Sequence, residues 1–312
     1  MRVLIDLQSC QNQDEFRAIV RYDLLLVGDL LQTGSSNDFH LLVNGGHPES
    51  VPQFRSQFSR WVPPEKAHVF FPVEENHGRA AAWRCEVSAR VLQFLVDSIG
   101  PDIVLIPIPS SRHWRKAAYF NPRRRGRGIV CLLNEMIFHE ERPRSEPLST
   151  VLGGSRRLSL GSQAAVLAVG STGLESAVRH WGLEEKNALV IGGGFDRDGE
   201  EVRPDEDKEL LRRLGITREF VLCCQAGQYP ARHQWAVLKA WAMLEKGIGE
   251  DYQLAVSTGT AGLGLRNGRG REAMPVIVWS DSASDTELCA LYRRSSLLVV
   301  DSVQESSGMP LL

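Results

Sequence analysis

The stretch 299–312, VVDSVQESSGMPLL, closes the chain and its reading decides the fold. Residues 297–300 are four consecutive apolar side chains, the pattern of a short buried strand, and the polar residues after them carry the chain out of a sheet towards Glu305 and Gly308. An open α/β sheet holds its ligands beyond the carboxyl ends of its strands. Glu305 therefore stands where a carboxylate can accept hydrogen bonds from sugar hydroxyls. Gly308, Met309 and Pro310 read as the start of a helix, with Pro310 suited to a first turn because it has no N–H to lose. The sequence stops two residues later, so the expectation is a fragment whose last structural unit is incomplete.

Working outward, short apolar runs at 2–6, 40–43, 102–107, 129–133, 164–169 and 188–191 read as strands, followed by others at 220–225, 252–257, 275–279 and 297–301. Helical periodicity falls between them, at 16–31, 86–99, 171–181, 233–245 and 285–294. Strands and helices alternating at this spacing predict an α/β protein with parallel sheets and right-handed crossovers. In the first helix Ile19, Leu24, Leu26, Val27 and Leu30 are the candidate inward positions; in the second they are Val87, Val91, Phe94 and Leu95. Gly192, Gly193 and Gly194 form a flexible joint, and the polar stretch 196–208 reads as a linker. The resulting organisation is a first domain over 1–192, a connection over 193–208 and a second domain over 209–312.

With 312 residues, 43% hydrophobic and 24% charged, the chain can build two real cores. A net charge of −2 argues against a nucleic-acid protein, whose usual footprint is a strongly basic domain. The six cysteines are scattered without CxxC spacing, which predicts buried or free thiols in a reducing compartment. The N-terminus begins directly with a strand, and no stretch approaches the ~18 apolar residues of a membrane span. The expectation is a cytoplasmic protein, with peripheral contact to the inner face of a membrane as a further option.

Several stretches carry candidate chemistry. The loop after the first strand has no glycine, which excludes a dinucleotide fingerprint there. Residues 16–22, FRAIVRY, read on their own pattern as the start of an amphipathic helix. Arginines 112, 115, 123, 124, 125 and 127 with Lys116 form the one basic run, either a solvated loop or an anion-binding one. Asn134 follows the strand 129–133 and can hydrogen-bond a hydroxyl but cannot act as a base; Glu135 and His139 stand close behind it. Asp196 and Asp198 have the spacing of a metal-binding pair but lie in the linker, and no metal site is expected. The glycine-rich run 259–270 reads as a surface loop. No nucleophile elbow, His-Glu-x-x-His or phosphate-binding Walker loop is present.

Together these motifs resemble the family 4 retaining glycosyltransferases. The stretch from Glu305 resembles the family's nucleotide-sugar loop, in which a Glu is followed by Gly-Phe-Gly-Leu-Pro and later by a second Glu. FRAIVRY resembles a Phe-Arg-Gly-Ile-Gly-Arg-Tyr loop that approaches the donor diphosphate, with Ala18 and Val20 in place of its glycines. The segment 164–196 resembles the close of the family's first domain. AGQYPARHQ, 226–234, resembles Gly-Gly-Phe-Asp-Pro-Arg-Lys-Asn: Gly227 and Pro230 are kept, Arg232 replaces the Lys that contacts the donor phosphates, and His233 replaces Asn.

The resemblance implies a GT-B architecture, two Rossmann-like domains facing each other across a cleft, the second incomplete. It implies retaining transfer, without a metal or other cofactor, of a hexose such as mannose from a nucleotide-diphosphate sugar to a saccharide or lipid-linked acceptor. Arg232 would neutralise the diphosphate and Glu305 would orient the sugar, with Gly227, Gly308 and Met309 lining the donor site and Asn134 at the reacting centre. Glycine restored at positions 18 and 20 would then be expected to improve donor binding. The alternative is a catalytically inactive relative, suggested by the replacements at Ala18, Val20, Asn134 and Arg232.

Overall fold

The computed structural model describes residues 1–11, 13–34, 36–73, 81–107, 128–133, 164–171, 174–175, 178, 185–192, 204–224, 232–244, 251–258, 276–280 and 285–300. The chain forms two compact units, Met1–Gln13 with Arg17–Gly193, and Asp14–Phe16 with Gly194–Leu312.

The first unit is built on seven parallel strands: β1 (Arg2–Asp6), β2 (Asp38–Asn44), β3 (Ala67–Phe70), β4 (Ile103–Ile106), β5 (Gly128–Leu133), β6 (Ala164–Ala168) and β7 (Ala188–Val190), in the order 3-2-1-4-5-6-7. The helices α1 (Gln13–Thr33), α2 (Ser50–Phe58) and α3 (Ala81–Ile99) supply crossovers. β1 is an interior strand buried on both sides: Leu4 and Ile5 are fully enclosed, and Ile5 pairs with Leu41 of β2 and Leu105 of β4. One core joins Leu4, Leu42, Val104, Ile129, Cys131 and Val166 of the sheet to Leu92, Val96 and Ile99 of α3. The α/β expectation holds, and among the described residues sequence pattern missed α2, β3 and the 3-10 turns of this unit. β3 is four residues, AHVF, and α2 carries Pro52 in its first turn, so neither gives a clear periodic signal.

The inward faces of two helices differ from the expectation. On α3 the buried positions are Ser88, Leu92, Val96 and Ile99, whereas Trp83, Val87, Val91 and Phe94 are 54%, 39%, 50% and 76% exposed. Both sides of this helix are apolar, so periodicity alone does not choose between them. Ser88 belongs inside because its Oγ accepts the Val73 N–H at 2.9 Å, which satisfies a hydroxyl that burial would otherwise penalise. Among the described side chains of α1 the buried ones are Val20, Tyr22, Asp23, Val27 and Leu31; Val27 is inward as expected, while Leu30 is on the exposed side.

At the amino ends of β1 and β2, Asp38 accepts from Arg2 Nε and Lys66 Nζ, both at 2.8 Å, and lies 3.3 Å from His40 Nε2. Lys66 and then Arg2 hold its carboxyl well below the usual range. The other His40 nitrogen, Nδ1, is 2.9 Å from His68 Nε2 on β3, with the two rings stacked at 5.2 Å. Burial lowers both imidazole pKa values; Asp38 opposes this at His40, and His40 adds to it at His68. An imidazole whose folded pKa lies below its unfolded value of 6.5 leaves the unfolded chain to bind protons first. Its contribution to stability is complete above pH 6.5 and is lost as pH falls below it. Thermal unfolding followed from about pH 7.5 to about pH 5 should therefore show a falling midpoint, and His68→Phe should flatten that fall. A midpoint that rises on acidification would contradict the assignment.

The second unit is a four-stranded parallel sheet of β8 (Glu219–Cys224), β9 (Tyr252–Thr258), β10 (Val276–Ser280) and β11 (Leu297–Val300), in the order 10-9-8-11, with helices α4 (Pro204–Arg213), α5 (Arg232–Ala242) and α6 (Asp285–Arg294). One side of the sheet packs Phe220, Leu222 and Ala255 against Leu291 of α6, and the other packs Cys223, Leu254 and Val256 against Trp241 of α5. Residues 204–208, assigned above to the linker, form the first half of α4. Pro204 opens it and Asp205, Glu206 and Asp207 occupy its first turn, where carboxylates meet the positive end of the helix dipole. Gly215, at φ 78°, ends it by donating its N–H to Arg212 O while the Ile216 N–H reaches Leu211 O at 2.8 Å. The described cysteines 10, 131 and 223 are buried free thiols and Cys289 is a half-buried one.

Candidate functional site

The strand order of the second unit reverses between β8 and β11, the position where an open parallel sheet leaves a crevice at its carboxyl edge. These two strands pair in register, Val299 with Cys223 and Val300 with Cys224. The carboxyl ends of β8 and β11, at Cys224 and Val300, therefore lie side by side. The chain after β8 leads into α5, which begins at Arg232. Val237, Leu238 and Trp241 dock this helix on Cys223, Leu254 and Val256. In a parallel crossover the helix that follows a strand starts at the strand's carboxyl edge, so the unbonded N–H groups of the first turn of α5 stand at the crevice. A cation at that end opposes the helix dipole, and an anionic ligand beside it would relieve the conflict.

Of the residues singled out from sequence, Gly227, Glu305, Gly308 and Met309 lie outside the described residues, and so does Asn134, which follows Leu133 at the end of β5. Glu135, His139, the basic run 112–127, the pair Asp196 and Asp198 and the run 259–270 also lie outside them. Arg232 is placed as the first residue of α5, with its side chain undescribed. Among the described residues no group of three His, Cys, Asp or Glu side chains could hold a metal ion.

The first unit corrects one expectation. FRAIVRY is not a loop: it lies within α1, and Val20 is 2% exposed. A β-branched residue packed inside a helix has its backbone N–H committed to the preceding turn, so this segment cannot present N–H groups to a phosphate. Glycine at 18 and 20 would loosen the helix and would not open a phosphate loop.

The connection from β1 is instead a short 3-10 turn, Gln8–Gln11, with all four residues buried. Gln8 N–H donates to Asp6 Oδ1 at 3.0 Å. Gln11 clamps the end of β2 in both directions, Nε2 donating to Asn44 O at 2.9 Å and Oε1 accepting the Asn44 N–H at 2.5 Å, and Nε2 also reaches Ser50 Oγ at 2.7 Å. The Cys10 thiol is pushed well up by burial, then by Asp23 and Asp6. Tyr22 Oη donates to Gly192 O at 3.3 Å, tying α1 to the end of the segment after β7. Sequence reasoning passed over Gln11. The available signal was four amide side chains within LQSCQNQ directly after the first strand, where a buried amide can bond both groups of a neighbouring peptide.

No protein-family model matches the sequence. Among curated proteins the chain is similar to the serotype-specific mannosyltransferase WbdA of Escherichia coli, 20% identical over 336 residues. The alignment covers all of this chain and 39% of that protein, so the chain spans well under half the length of its relative. Among solved structures it is similar to WaaG, a glycosyltransferase involved in lipopolysaccharide biosynthesis, at 15% identity and a TM-score of 0.61, covering 99% of this chain and 77% of that one. The Anabaena protein HepE in complex with UDP-glucose superposes with a TM-score of 0.59 at 17% identity, over 96% of this chain and 73% of that one. A glycosyltransferase from Rickettsia africae gives 0.55 at 12% identity, over 95% and 72%. Two units built on parallel α/β sheets, with these structural relatives, define the fold as that of the GT-B glycosyltransferases.

Proposed function

We propose that the protein transfers a hexose from a nucleotide-diphosphate sugar to a saccharide or lipid-linked acceptor, by a retaining reaction of the family 4 type that needs no metal. The observation that carries the reading is the in-register pairing of β8 with β11, because it starts the Arg232-bearing and Glu305-bearing segments from neighbouring strand ends. Similarity to a mannosyltransferase supports mannose as the sugar, and a structural relative in complex with UDP-glucose supports a nucleotide-sugar donor. In this reading Arg232 neutralises the diphosphate as it leaves and Glu305 holds the sugar hydroxyls. Gly227, Gly308 and Met309 bring backbone close to the donor, and Asn134 hydrogen-bonds at the reacting centre.

A lipid-linked acceptor implies work at the inner membrane face. No helix among the described residues is long and apolar enough to cross a bilayer, and the outward stripe Trp83, Val87, Val91 and Phe94 of α3 is an apolar face suited to peripheral contact. The full chain incubated with UDP-glucose or a nucleoside diphosphate mannose and candidate glycan acceptors should yield a glycoside that keeps the donor's anomeric configuration. An inverted product would remove the retaining assignment. Absence of both transfer and donor binding would favour the inactive relative instead. Co-sedimentation with lipid vesicles, reduced by Phe94→Ser, tests the membrane contact separately.

A further inference from the structure

The second unit carries a groove of about 530 Å³ at the edge of its sheet opposite the strand ends described above. Its walls come from α4, from the turn leading into β8, from the first residues of that strand and from the last turn of α6, so it lies where the strands begin. Four cationic side chains line it, Lys208, Arg218, Arg293 and Arg294, with one carboxylate, Glu219. Phe220 and Ile216, 1% and 5% exposed, give it an apolar floor.

Buried polar groups hold this wall in place. Asp207, 3% exposed, accepts from Arg293 Nη2 at 2.8 Å, fixing that guanidinium against α4. Gln253 of β9, 6% exposed, accepts the N–H groups of Thr217 and Arg218 at 2.7 and 3.0 Å and donates to Gly215 O at 3.3 Å. One buried amide thus sets the conformation of the whole turn that presents Arg218. Basic residues in the last turn of a helix complement its dipole, and that accounts for Arg293 and Arg294. It does not account for Lys208, midway along α4.

We propose that this groove is a second ligand site, taking a small phosphate ester. Cationic side chains converging on a groove whose wall is held by buried hydrogen bonds suit the oxygens of a phosphate, and the volume is that of a small-molecule site. The site is separate from the donor crevice, which lies at the other end of the same strands, and does not depend on the activity proposed above.

Inorganic pyrophosphate is the first probe, titrated into the isotope-labelled full chain while backbone amides are followed by NMR. Saturable shifts confined to 216–220 and 292–296 are expected, and they should persist in Arg232→Ala, which weakens the donor edge. Arg218→Gln with Arg294→Gln should lower pyrophosphate affinity about tenfold or more, and Lys208→Gln, an exposed change that leaves the fold intact, should lower it by a smaller factor. A hexose 1-phosphate and a nucleoside monophosphate, titrated in parallel, identify the source of the phosphate by which binds more tightly. The proposal is overturned if pyrophosphate at about 10 mM, a concentration that would fill even a weak site, leaves these amides unmoved. It is also overturned if the substituted proteins bind as well as the original.

Discussion

Val20→Gly is expected to destabilise the first unit by about 3 kcal/mol, lowering its unfolding midpoint by about 6–12 °C. Two effects add. Val20 is 2% exposed, and removing its side chain forfeits about 1.5–3 kcal/mol of apolar burial. Glycine in a helix interior costs about 1 kcal/mol more than alanine, because the unfolded chain gains freedom that folding must remove. Position 20 lies eight residues into α1, far from the frayed end where such a change would be tolerated. A domain of this size has only about 5–15 kcal/mol in hand, so the loss is a substantial part of its margin. Donor affinity should not rise, since a looser helix still directs its N–H groups along its own axis. Melting curves and donor titrations on the same protein separate the possibilities. Tighter donor binding with an unchanged midpoint would restore the phosphate-loop interpretation of FRAIVRY.

That case shows where sequence pattern stops being informative. The strands were legible because each is a compact apolar run: 2–6 and 297–300 stand out by residue type alone, and parallel pairing follows from the helices between them. Which side of a helix faces the sheet was not legible on α3. Val87, Val91 and Phe94 make as good a stripe as Leu92, Val96 and Ile99, and the choice falls to Ser88, a polar residue made acceptable inside by one hydrogen bond from Val73. The same limit applies to Gln11 and Gln253. Each is a common surface residue whose role comes from a peptide 33 to 38 positions away. His40 and His68 likewise meet only because β2 and β3 pair with Leu42 opposite His68, a register no local pattern specifies. For Arg232 and Glu305 the sequence goes further than the fold does: both were named through the family resemblance, and the strand order shows only that the strands preceding them, β8 and β11, are neighbours.

Arg232→Ala is expected to weaken nucleoside diphosphate binding by about 1.5–3 kcal/mol, or about 10- to 150-fold, while Glu305→Ala leaves the bare nucleoside diphosphate nearly unaffected and weakens the intact sugar donor. The asymmetry follows from chemistry. Arg232 opens α5 immediately beyond the segment that leaves β8, and a diphosphate there meets a guanidinium together with the unbonded N–H groups of a helix start. Charge-assisted bonds of that kind dominate the affinity of the nucleotide half. Glu305 lies five residues past the end of β11, the strand beside β8, and a carboxylate near phosphates is repelled. In the proposed reading its use is to accept from the hydroxyls of the transferred hexose, which only the complete donor carries. Arg232→Lys should recover part of the loss, because it keeps the charge without the two-pronged geometry. Calorimetry on the full chain, with nucleoside diphosphate and nucleotide sugar titrated into each variant, reads both effects directly. If either substitution weakens both ligands by the same factor, the division of labour between phosphate and sugar is wrong.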